Sequence, residues 1–452
     1  MAGIFKAYDI RGIVPQQLNE PLAEKIGRSF QFVLDQEDRA FGNAVVVSRD
    51  MRPSGEGLAA ALTKGLVESG LDVIDIGLAT TPMNYFAVGH LKTAGGVQTT
   101  ASHNPAEYNG FKFSRHQANP VSGDHGIALM EKKVASGDLP QAVVPGQVRH
   151  TSIFEAYGKH VLSYLRKPAG ARKLKVVVDA ANGMGTIYKP FLEQAGIELI
   201  PLYFELDGTF PNHEANPLKL ENLRDLQRAV REQHADLGVS FDGDADRAAF
   251  VDETGEPVGS DLATALIGGA LLERHPGQHI VYDLRSSRAV AEYIAEKGGI
   301  PVRERVGHSF IKATMRKLNA VFGGELAGHY YFRDNYTADC ALLAVVEILN
   351  LLWKTGGSMS ALVKPLLRYA KSPEINFVVE DKQGKMDALA SHFSDGKVDQ
   401  LDGITVQYPD WWFNVRPSNT EPYLRLVLEA KTPAMLDQKR HQLESMLGTP
   451  AE

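Results

Sequence analysis

Residues 44–48 read AVVVS, and three consecutive valines predict a buried β-strand. Residues 54–68, SGEGLAAALTKGLVE, then show helical spacing of their apolar side chains. Residues 71–76, LDVIDI, predict a second strand. Strand, helix and strand in this order favour a β-sheet that is covered by helices.

The same alternation begins again at two later strands. Residues 174–179 read LKVVVD and residues 279–283 read HIVYD. Each strand opens a similar block roughly 100 residues after the last, a spacing typical of related units in tandem. We therefore predict three α/β domains of related fold.

The chain has 452 residues, more than a single hydrophobic core normally organises. Domain boundaries are expected in the polar stretch 140–150, after the hairpin-like segment 252–256, and near 368–373. The predicted domains are 1–147, 148–254, 255–368 and 369–452.

The C-terminal piece has a different pattern. It predicts a small α+β domain from strands at 374–380, 404–408 and 423–428 and helices at 384–393 and 433–446.

Composition limits the possible environments and partners. The formal net charge is −7, which disfavours nonspecific nucleic-acid binding, and no run of 18 apolar residues could cross a membrane. The N-terminus does not resemble a signal peptide, and the one cysteine, Cys340, cannot form an intrachain disulfide. We expect a cytoplasmic protein without nucleic-acid or membrane partners. A few cations converging in one cleft could still bind anionic small molecules.

The loop 99–105, TTASHNP, follows a predicted strand at 95–98 and contains a candidate nucleophile. Ser102 could carry a phosphoryl group if cations and a metal neutralise the developing charge, and it has His103 beside it and Lys112 ten residues on. Taken alone, the loop fits an ordinary Ser/Asn/Pro surface turn at least as well.

The loop 242–247, DGDADR, places Asp242, Asp244 and Asp246 at alternate positions. These carboxylates could converge on a hard cation, Mg²⁺ or Ca²⁺. Ligand spacing also resembles a calcium-binding EF-hand, but Arg247 stands where that motif requires glycine. The flanks 237–241 and 248–251 predict strands, whereas an EF-hand needs helices. The pattern favours Mg²⁺.

Two further loops have polar groups suited to a sugar phosphate. In 305–312, RVGHSFIK, Gly307 permits a tight turn before a helix whose free N–H groups could face an anion. In 323–329, GGELAGH, Glu325 could accept hydrogen bonds from sugar hydroxyls and His329 could take part in proton transfer. Each also fits a simple structural turn.

A last loop, 416–422, reads RPSNTEP and is dense in hydrogen-bond donors. Arg416 with Ser418, Asn419 and Thr420 could hold a phosphate, although a plain turn before the strand 423–428 would read the same way.

In this order, the motifs resemble those of the α-D-phosphohexomutases, most closely the bacterial phosphomannomutase/phosphoglucomutase group. Residues 100–105 resemble the phosphoserine loop of that family, 242–247 its metal loop, 324–329 its sugar-recognition loop and 416–422 its phosphate-binding loop. Residues 8–12, YDIRG, resemble its N-terminal signature. The resemblance covers essentially the whole chain.

The resemblance implies three α/β mixed-sheet domains and a C-terminal α+β domain of TATA-binding-protein-like shape around a central cleft. It implies Ser102 as the phosphoserine, with Asp242, Asp244 and Asp246 binding one Mg²⁺ per chain together with a phosphoserine oxygen. The other implied catalytic residues are His103, Lys112, Arg11, Arg247 and His329. The implied substrate-binding residues are Tyr8, Arg285, Gly307, His308, Glu325, Ala327, Arg416, Ser418, Asn419 and Thr420.

The implied activity is reversible phosphoryl transfer between hexose 1-phosphate and hexose 6-phosphate, of glucose, mannose or both. It proceeds through phosphoserine and a hexose 1,6-bisphosphate, which acts as intermediate and activator. Small sugar phosphates are the implied partners, and we expect a monomer, with a larger assembly left open.

The sequence departs from the family pattern at two positions. Ala327 stands where serine is frequent, and Arg285 stands where lysine is common. Phosphoglucosamine mutase is the nearest alternative activity. A phosphatase with Asp242 as nucleophile and a noncatalytic calcium-binding protein are alternatives from other classes.

Overall fold

The computed structural model describes residues 3–36, 41–418 and 423–451. Within these ranges the strands form four separate sheets, of seven, five, five and six strands in chain order. The first three sheets mix parallel and antiparallel pairs and carry helices, which confirms the predicted α/β class for this part of the chain. The fourth sheet is antiparallel.

The first unit contains the predicted strand–helix–strand segment. Its sheet runs in the order Ile10–Ile13, Tyr108–Arg115, Gly95–Thr99, Ala44–Arg49, Asp72–Leu78 and Val148–His150, with Asn119–Pro120 beside Tyr108–Arg115. Its helices are Glu20–Leu34, Gly55–Glu68, Thr81–His90 and Ile127–Ser136. Because Val148–His150 pairs with Asp72–Leu78, this sheet extends past the predicted boundary at 147.

The second and third units repeat one strand arrangement, in which a parallel trio continues into antiparallel strands. The second sheet runs Pro257–Val258, Ala248–Val251, Leu237–Phe241, Lys175–Asp179 and Glu198–Leu202, so it passes the predicted boundary at 254. The third runs Ile300–Glu304, His279–Asp283, Phe322–Gly324, Tyr330–Phe332 and Ala338–Asp339. Helices of the two units are Phe154–Leu162, Lys189–Gln194, Arg224–Gln233, Ser260–Arg274, Arg288–Glu296, His308–Leu318, Ala341–Thr355 and Met359–Val363.

The fourth unit is the predicted α+β piece with three further strands. Its sheet runs Ala370–Lys371, Tyr423–Ala430, Trp411–Pro417, Ile404–Gln407 and Lys397–Asp399, with Ile375–Val378 also beside Tyr423–Ala430. Its helices are Lys382–His392 and Pro433–Leu447. The prediction missed Trp411–Pro417, a buried interior strand.

Apolar packing separates the fourth unit from the other three. One continuous core joins Phe86 of the first unit, Val178 of the second and Ala344 of the third. The helix Ala341–Thr355 is buried nearly all round, as expected for a helix that is apolar on every face. The fourth unit has its own core around Phe413. No helix of the described residues is long and apolar enough to cross a membrane.

Two helices of the first unit approach so closely that glycine is required. A Cβ on Gly65 would lie 2.0 Å from the carbonyl oxygen of Glu24 in the neighbouring helix. Gly57 lies in the same helix as Gly65, but a Cβ there would meet only the flexible end of Glu20. The two glycines therefore differ in what a methyl group would displace.

We expect Gly65→Ala to destabilise the first unit by about 1–3 kcal/mol, because the helices must move apart. Gly57→Ala, the matched control, should be neutral or stabilising by up to about 1 kcal/mol through helix propensity. Thermal unfolding of both variants measures the difference. Equal melting temperatures would contradict the close-packing argument.

Candidate active site

Loops at the carboxyl ends of parallel strands supply the candidate residues. Ser102 follows the strand Gly95–Thr99, and Asp242 directly follows Leu237–Phe241. Glu325 directly follows Phe322–Gly324 in the third sheet. Ligand sites in α/β sheets lie outside the carboxyl ends of the strands, so each fold unit presents its loop where a shared site can form.

Ser102 is buried and held in a strained backbone conformation. Its φ is 51°, in the left-handed region that residues other than glycine rarely adopt. Its Oγ donates a hydrogen bond of 2.8 Å to Oδ2 of Asp242, and Nδ1 of His103 lies 3.2 Å from the same Oγ. The candidate nucleophile therefore contacts the acidic loop of the second unit directly.

Asp242, Asp244 and Asp246 converge as predicted. Each is buried and offers a carboxylate oxygen within 4.8 Å of the others, the arrangement of a metal site. The Lys112 ammonium lies 2.6 Å from Oδ2 of Asp244 and 2.6 Å from Oδ2 of Asp246. Burial raises the pKa of Asp244, and the Lys112 charge reverses the effect, so the pKa lies below its usual value.

The negative charge of this triad is not fully balanced by the cations around it. Burial and the charges of Asp246 and Asp244 hold the pKa of Asp242 well above its usual range. The Oδ1 atoms of Asp244 and Asp246 are buried and accept no hydrogen bond. Carboxylate oxygens are the ligands that Mg²⁺ and Ca²⁺ prefer, so the donor set fits a divalent cation.

Arg247 and His329 connect the second and third units beside the triad. Arg247 Nε donates to Nε2 of His329 over 3.0 Å, and Nδ1 of His329 lies 3.1 Å from Oδ2 of Asp339. Because a guanidinium can only donate, Nε2 is the acceptor and Nδ1 carries the proton. The buried Lys312 ammonium pairs with the other oxygen of Asp339 at 2.5 Å.

A cavity of about 700 Å³ opens beside this cluster, with residues from all four units in its wall. Predicted site residues that line it are Tyr8, Arg11, His103, Lys112, Asp246, Arg247, His308 and His329. Burial and nearby positive charges hold the pKa values of His103 and His308 well below the usual range. Both imidazoles are therefore neutral at neutral pH, while the arginines remain charged.

Four further predicted residues, Gly307, Glu325, Arg285 and Ala327, are not in the wall of this cavity. Gly307, at φ 131°, packs so closely on Tyr8 that a Cβ would lie 2.5 Å from the phenol oxygen. Glu325 accepts a hydrogen bond of 2.8 Å from Tyr331, and Arg285 Nη2 lies 3.9 Å from Oε1 of Glu325. Ala327 lies in the turn that follows Glu325.

The interpretation of Arg416 as part of a turn is wrong. Arg416 belongs to the strand Trp411–Pro417, and its side chain is 3% exposed. The backbone N–H of Ser418 donates to the carbonyl of Tyr423 at 2.9 Å, closing the base of the loop. Asn419 and Thr420 lie outside the described residues.

The sequence interpretation missed the residue that shapes the Ser102 loop. Arg52 is fully buried, and its guanidinium donates to four backbone carbonyls, those of Ser102, Asn104, Pro105 and Tyr108, at 2.6–3.0 Å. Asp50 accepts from Thr100 Oγ1 at 2.6 Å and lies 3.4 Å from Arg52 Nε. No spacing in the sequence connects positions 50–52 with this loop. A buried arginine therefore holds the strained turn.

A hydroxyl that contacts a buried carboxylate triad able to hold a cation, beside a cavity with arginines in its wall, is suited to accepting and releasing a phosphoryl group. The fold and site thus define a phosphoryl-transfer enzyme.

Comparison with known proteins identifies which one. Models of the phosphoglucomutase/phosphomannomutase family match four successive parts of the chain: α/β/α domain I at residues 2–139, domain II at 155–255, domain III at 259–369 and the C-terminal domain at 374–445. The chain belongs to this family of α-D-phosphohexomutases.

Individual relatives agree. A protein described as phosphohexose mutases from Xanthomonas campestris pv. campestris is 41% identical over 443 residues, covering 97% of both chains. A phosphomannomutase from Salmonella montevideo is 37% identical over 94% of both chains. The crystal structure of a phosphoglucomutase/phosphomannomutase family protein from Burkholderia thailandensis has a TM-score of 0.90 at 34% identity, covering 99% of this chain and 98% of that one. These relatives support hexose-phosphate mutase activity and do not favour phosphoglucosamine mutase.

We expect Arg52→Lys to lower mutase turnover at least about tenfold, because one ammonium cannot donate to four carbonyls at once. Arg49→Lys is the matched control. Arg49 is the last residue of the strand Ala44–Arg49, and its Nη2 lies 3.7 Å from Oε2 of Glu56. Steady-state kinetics of the folded variants test this. Equal turnover in both variants would show that Arg52 does not hold the loop in its active shape.

Proposed function

We propose that this enzyme interconverts the 1-phosphate and 6-phosphate of glucose, mannose or both, and that Ser102 carries the phosphoryl group between the two positions. The observation that carries the proposal is the 2.8 Å contact between Ser102 Oγ and Asp242, which couples the nucleophile to the acidic triad. In the forward half-reaction the P–O bond to Ser102 breaks while a bond to the free sugar hydroxyl forms. The resulting 1,6-bisphosphate reorients in the cavity. Its other phosphate is then transferred to Ser102.

The sugar hydroxyl must lose a proton as it attacks, and His329 is the proposed base. Nε2 accepts a hydrogen bond from Arg247 in this structure and would exchange it for the sugar hydroxyl, whose proton it takes, while Asp339 holds the proton on Nδ1. The neighbouring arginines stabilise the charge that spreads over the transferring group. The walls of the cavity limit transfer of the phosphoryl group to water.

We propose that Asp242, Asp244 and Asp246 hold one Mg²⁺ per chain together with an oxygen of the phosphorylated Ser102. A bound divalent cation would supply charge neutralisation at the phosphoryl oxygens. Support comes from the two buried Oδ1 atoms without hydrogen bonds and from the raised pKa of Asp242, both of which favour added positive charge.

The phosphate that does not react needs an anchor away from Ser102. We propose that Arg416, with Ser418, Asn419 and Thr420, supplies it, while Glu325 binds the sugar hydroxyls. Arg11, His103, Lys112 and Arg247 would surround the reacting phosphate, with Tyr8, Arg285, Gly307, His308 and Ala327 completing the substrate surface. We also propose that the enzyme acts as a cytoplasmic monomer on small sugar phosphates.

Ser102→Ala should lower conversion of glucose 1-phosphate to glucose 6-phosphate by about a thousandfold or more, because the carrier of the phosphoryl group is lost. A coupled assay, supplied with glucose 1,6-bisphosphate, measures it. Intact mass should detect one phosphate on the wild-type protein and none on the variant. Undiminished turnover in the variant would refute the nucleophile, and release of inorganic phosphate without isomerisation would favour a phosphatase.

Removing the metal with EDTA should abolish turnover, and Mg²⁺ should restore it. Asp244→Asn should raise the Mg²⁺ concentration for half-maximal activity about tenfold or more, since one charged ligand is lost. Asp236→Asn, which breaks an ion pair with Arg172 elsewhere in the second unit, is the control and should respond like wild type. Full activity in EDTA would exclude the metal-dependent proposal.

A further inference from the structure

The carboxylate of Glu374 lies among three guanidinium groups. Its Oε2 is 2.7 Å from Nη2 of Arg416 and 3.4 Å from Nη1 of Arg285, and its Oε1 is 3.2 Å from Nη1 of Arg425. Glu374 directly precedes the strand Ile375–Val378, at the passage from the third unit to the fourth. It therefore joins cations of the third and fourth units.

Strand register explains why these arginines need a shared anion. Arg416 and Arg425 are direct partners in the antiparallel pair, and Arg425 is also the partner of Asn376. Side chains alternate between faces, so Glu374 follows the face of Asn376 and reaches the two arginines. Like charges directly opposite each other destabilise a sheet, and the carboxylate between them offsets this repulsion.

Arg285 extends the network into the third unit. Its Nε lies 3.0 Å from Oδ1 of Asp283, while its Nη1 reaches Glu374 and its Nη2 lies 3.9 Å from Oε1 of Glu325. A guanidinium can make these contacts together because its donors point in fixed, separate directions. A lysine at 285 would offer a single nitrogen for the same partners.

Polar contacts such as these hold the fourth unit in place, because its core is separate from that of the other units. Arg288 donates to the carbonyls of Tyr408 and Pro409 at 2.9 Å, and Arg303 pairs with Asp399. Glu374 contacts Arg285 of the third unit and also Arg416, the arginine assigned above to the substrate phosphate. The carboxylate that orients Arg416 thus also contacts Arg285, which lies 3.9 Å from Glu325, the residue proposed to bind the sugar.

We propose that Glu374 is a positioning residue for substrate binding. It holds Arg416 in the orientation in which the phosphate anchor and Glu325 act on the same sugar phosphate, with Arg285 as the link between the units. The inference rests on the proposed function, since it concerns how the anchor for the nonreacting phosphate is aligned.

The test is Glu374→Gln, which keeps the shape of the side chain and removes its charge. We expect KM for glucose 1-phosphate and the inhibition constant of inorganic phosphate to rise together by about tenfold or more, with kcat changed less than about threefold. Glu374→Asp should recover part of the loss because it keeps the carboxylate. Glu380→Gln, at an exposed position of the same unit, is the matched control.

A double-mutant cycle tests the link through Arg285. Arg285→Lys should raise KM by itself. Glu374→Gln should then raise KM by a smaller factor in the Arg285→Lys background than in the wild type, because both substitutions break the same contact between Glu374 and Arg285. Strictly additive effects on KM would overturn the role of Arg285 as the link. The cycle remains informative if one single variant has lower thermal stability.

The outcomes separate the inference from the function beneath it. A wild-type enzyme without mutase activity would refute the proposed function. An active wild type with unchanged KM in Glu374→Gln would overturn the inference alone. A fall in KM and in the phosphate inhibition constant would also overturn it, since Glu374 would then compete with substrate for Arg416. A loss confined to kcat would overturn it as well.

Discussion

The central constraint on this molecule is the burial of three carboxylates within a few ångströms of one another. Asp242, Asp244 and Asp246 repel each other strongly in a medium of low dielectric constant, so the fold must bring positive charge to them. Lys112 comes from the first unit and Arg247 from the loop itself. This requirement accounts for the convergence of separate fold units on one cavity, and it leaves room for a divalent cation.

The site also depends on a precise backbone conformation at Ser102. A serine with positive φ is held only when its surroundings specify that conformation. Arg52 does this with four carbonyl contacts, and the Asp50 carboxylate lies beside its guanidinium. Gly243 lets the acidic loop 242–247 come close, since a Cβ there would lie 2.3 Å from the carbonyl oxygen of Ser102. The distance between Ser102 and the triad is thus determined by packing of the backbone as well as by charge.

The hydrophobic cores divide the enzyme into two parts, the first three units and the fourth unit. The first three units share one continuous core, which suits a reaction centre that needs fixed distances. The fourth unit packs on its own core and meets the third through ion pairs and hydrogen bonds. Such polar interfaces permit relative motion more readily than apolar ones do. In the proposed reaction a substrate presents two different phosphates to Ser102, and an anchor on a separate unit is consistent with that chemistry.

Sequence alone determined the fold class, because valine runs such as 44–48 predict strands. It also predicted the candidate site, because the 242–247 loop holds three aspartates within six residues. Tertiary structure decided the rest. It placed Arg416 on a strand, Arg52 beneath the Ser102 loop and Glu374 among arginines, contacts between residues 9 to 89 positions apart that no local pattern records. Such contacts follow from how the sheets stack and how strands pair, and the energy that selects them comes from burial and charge in the assembled fold.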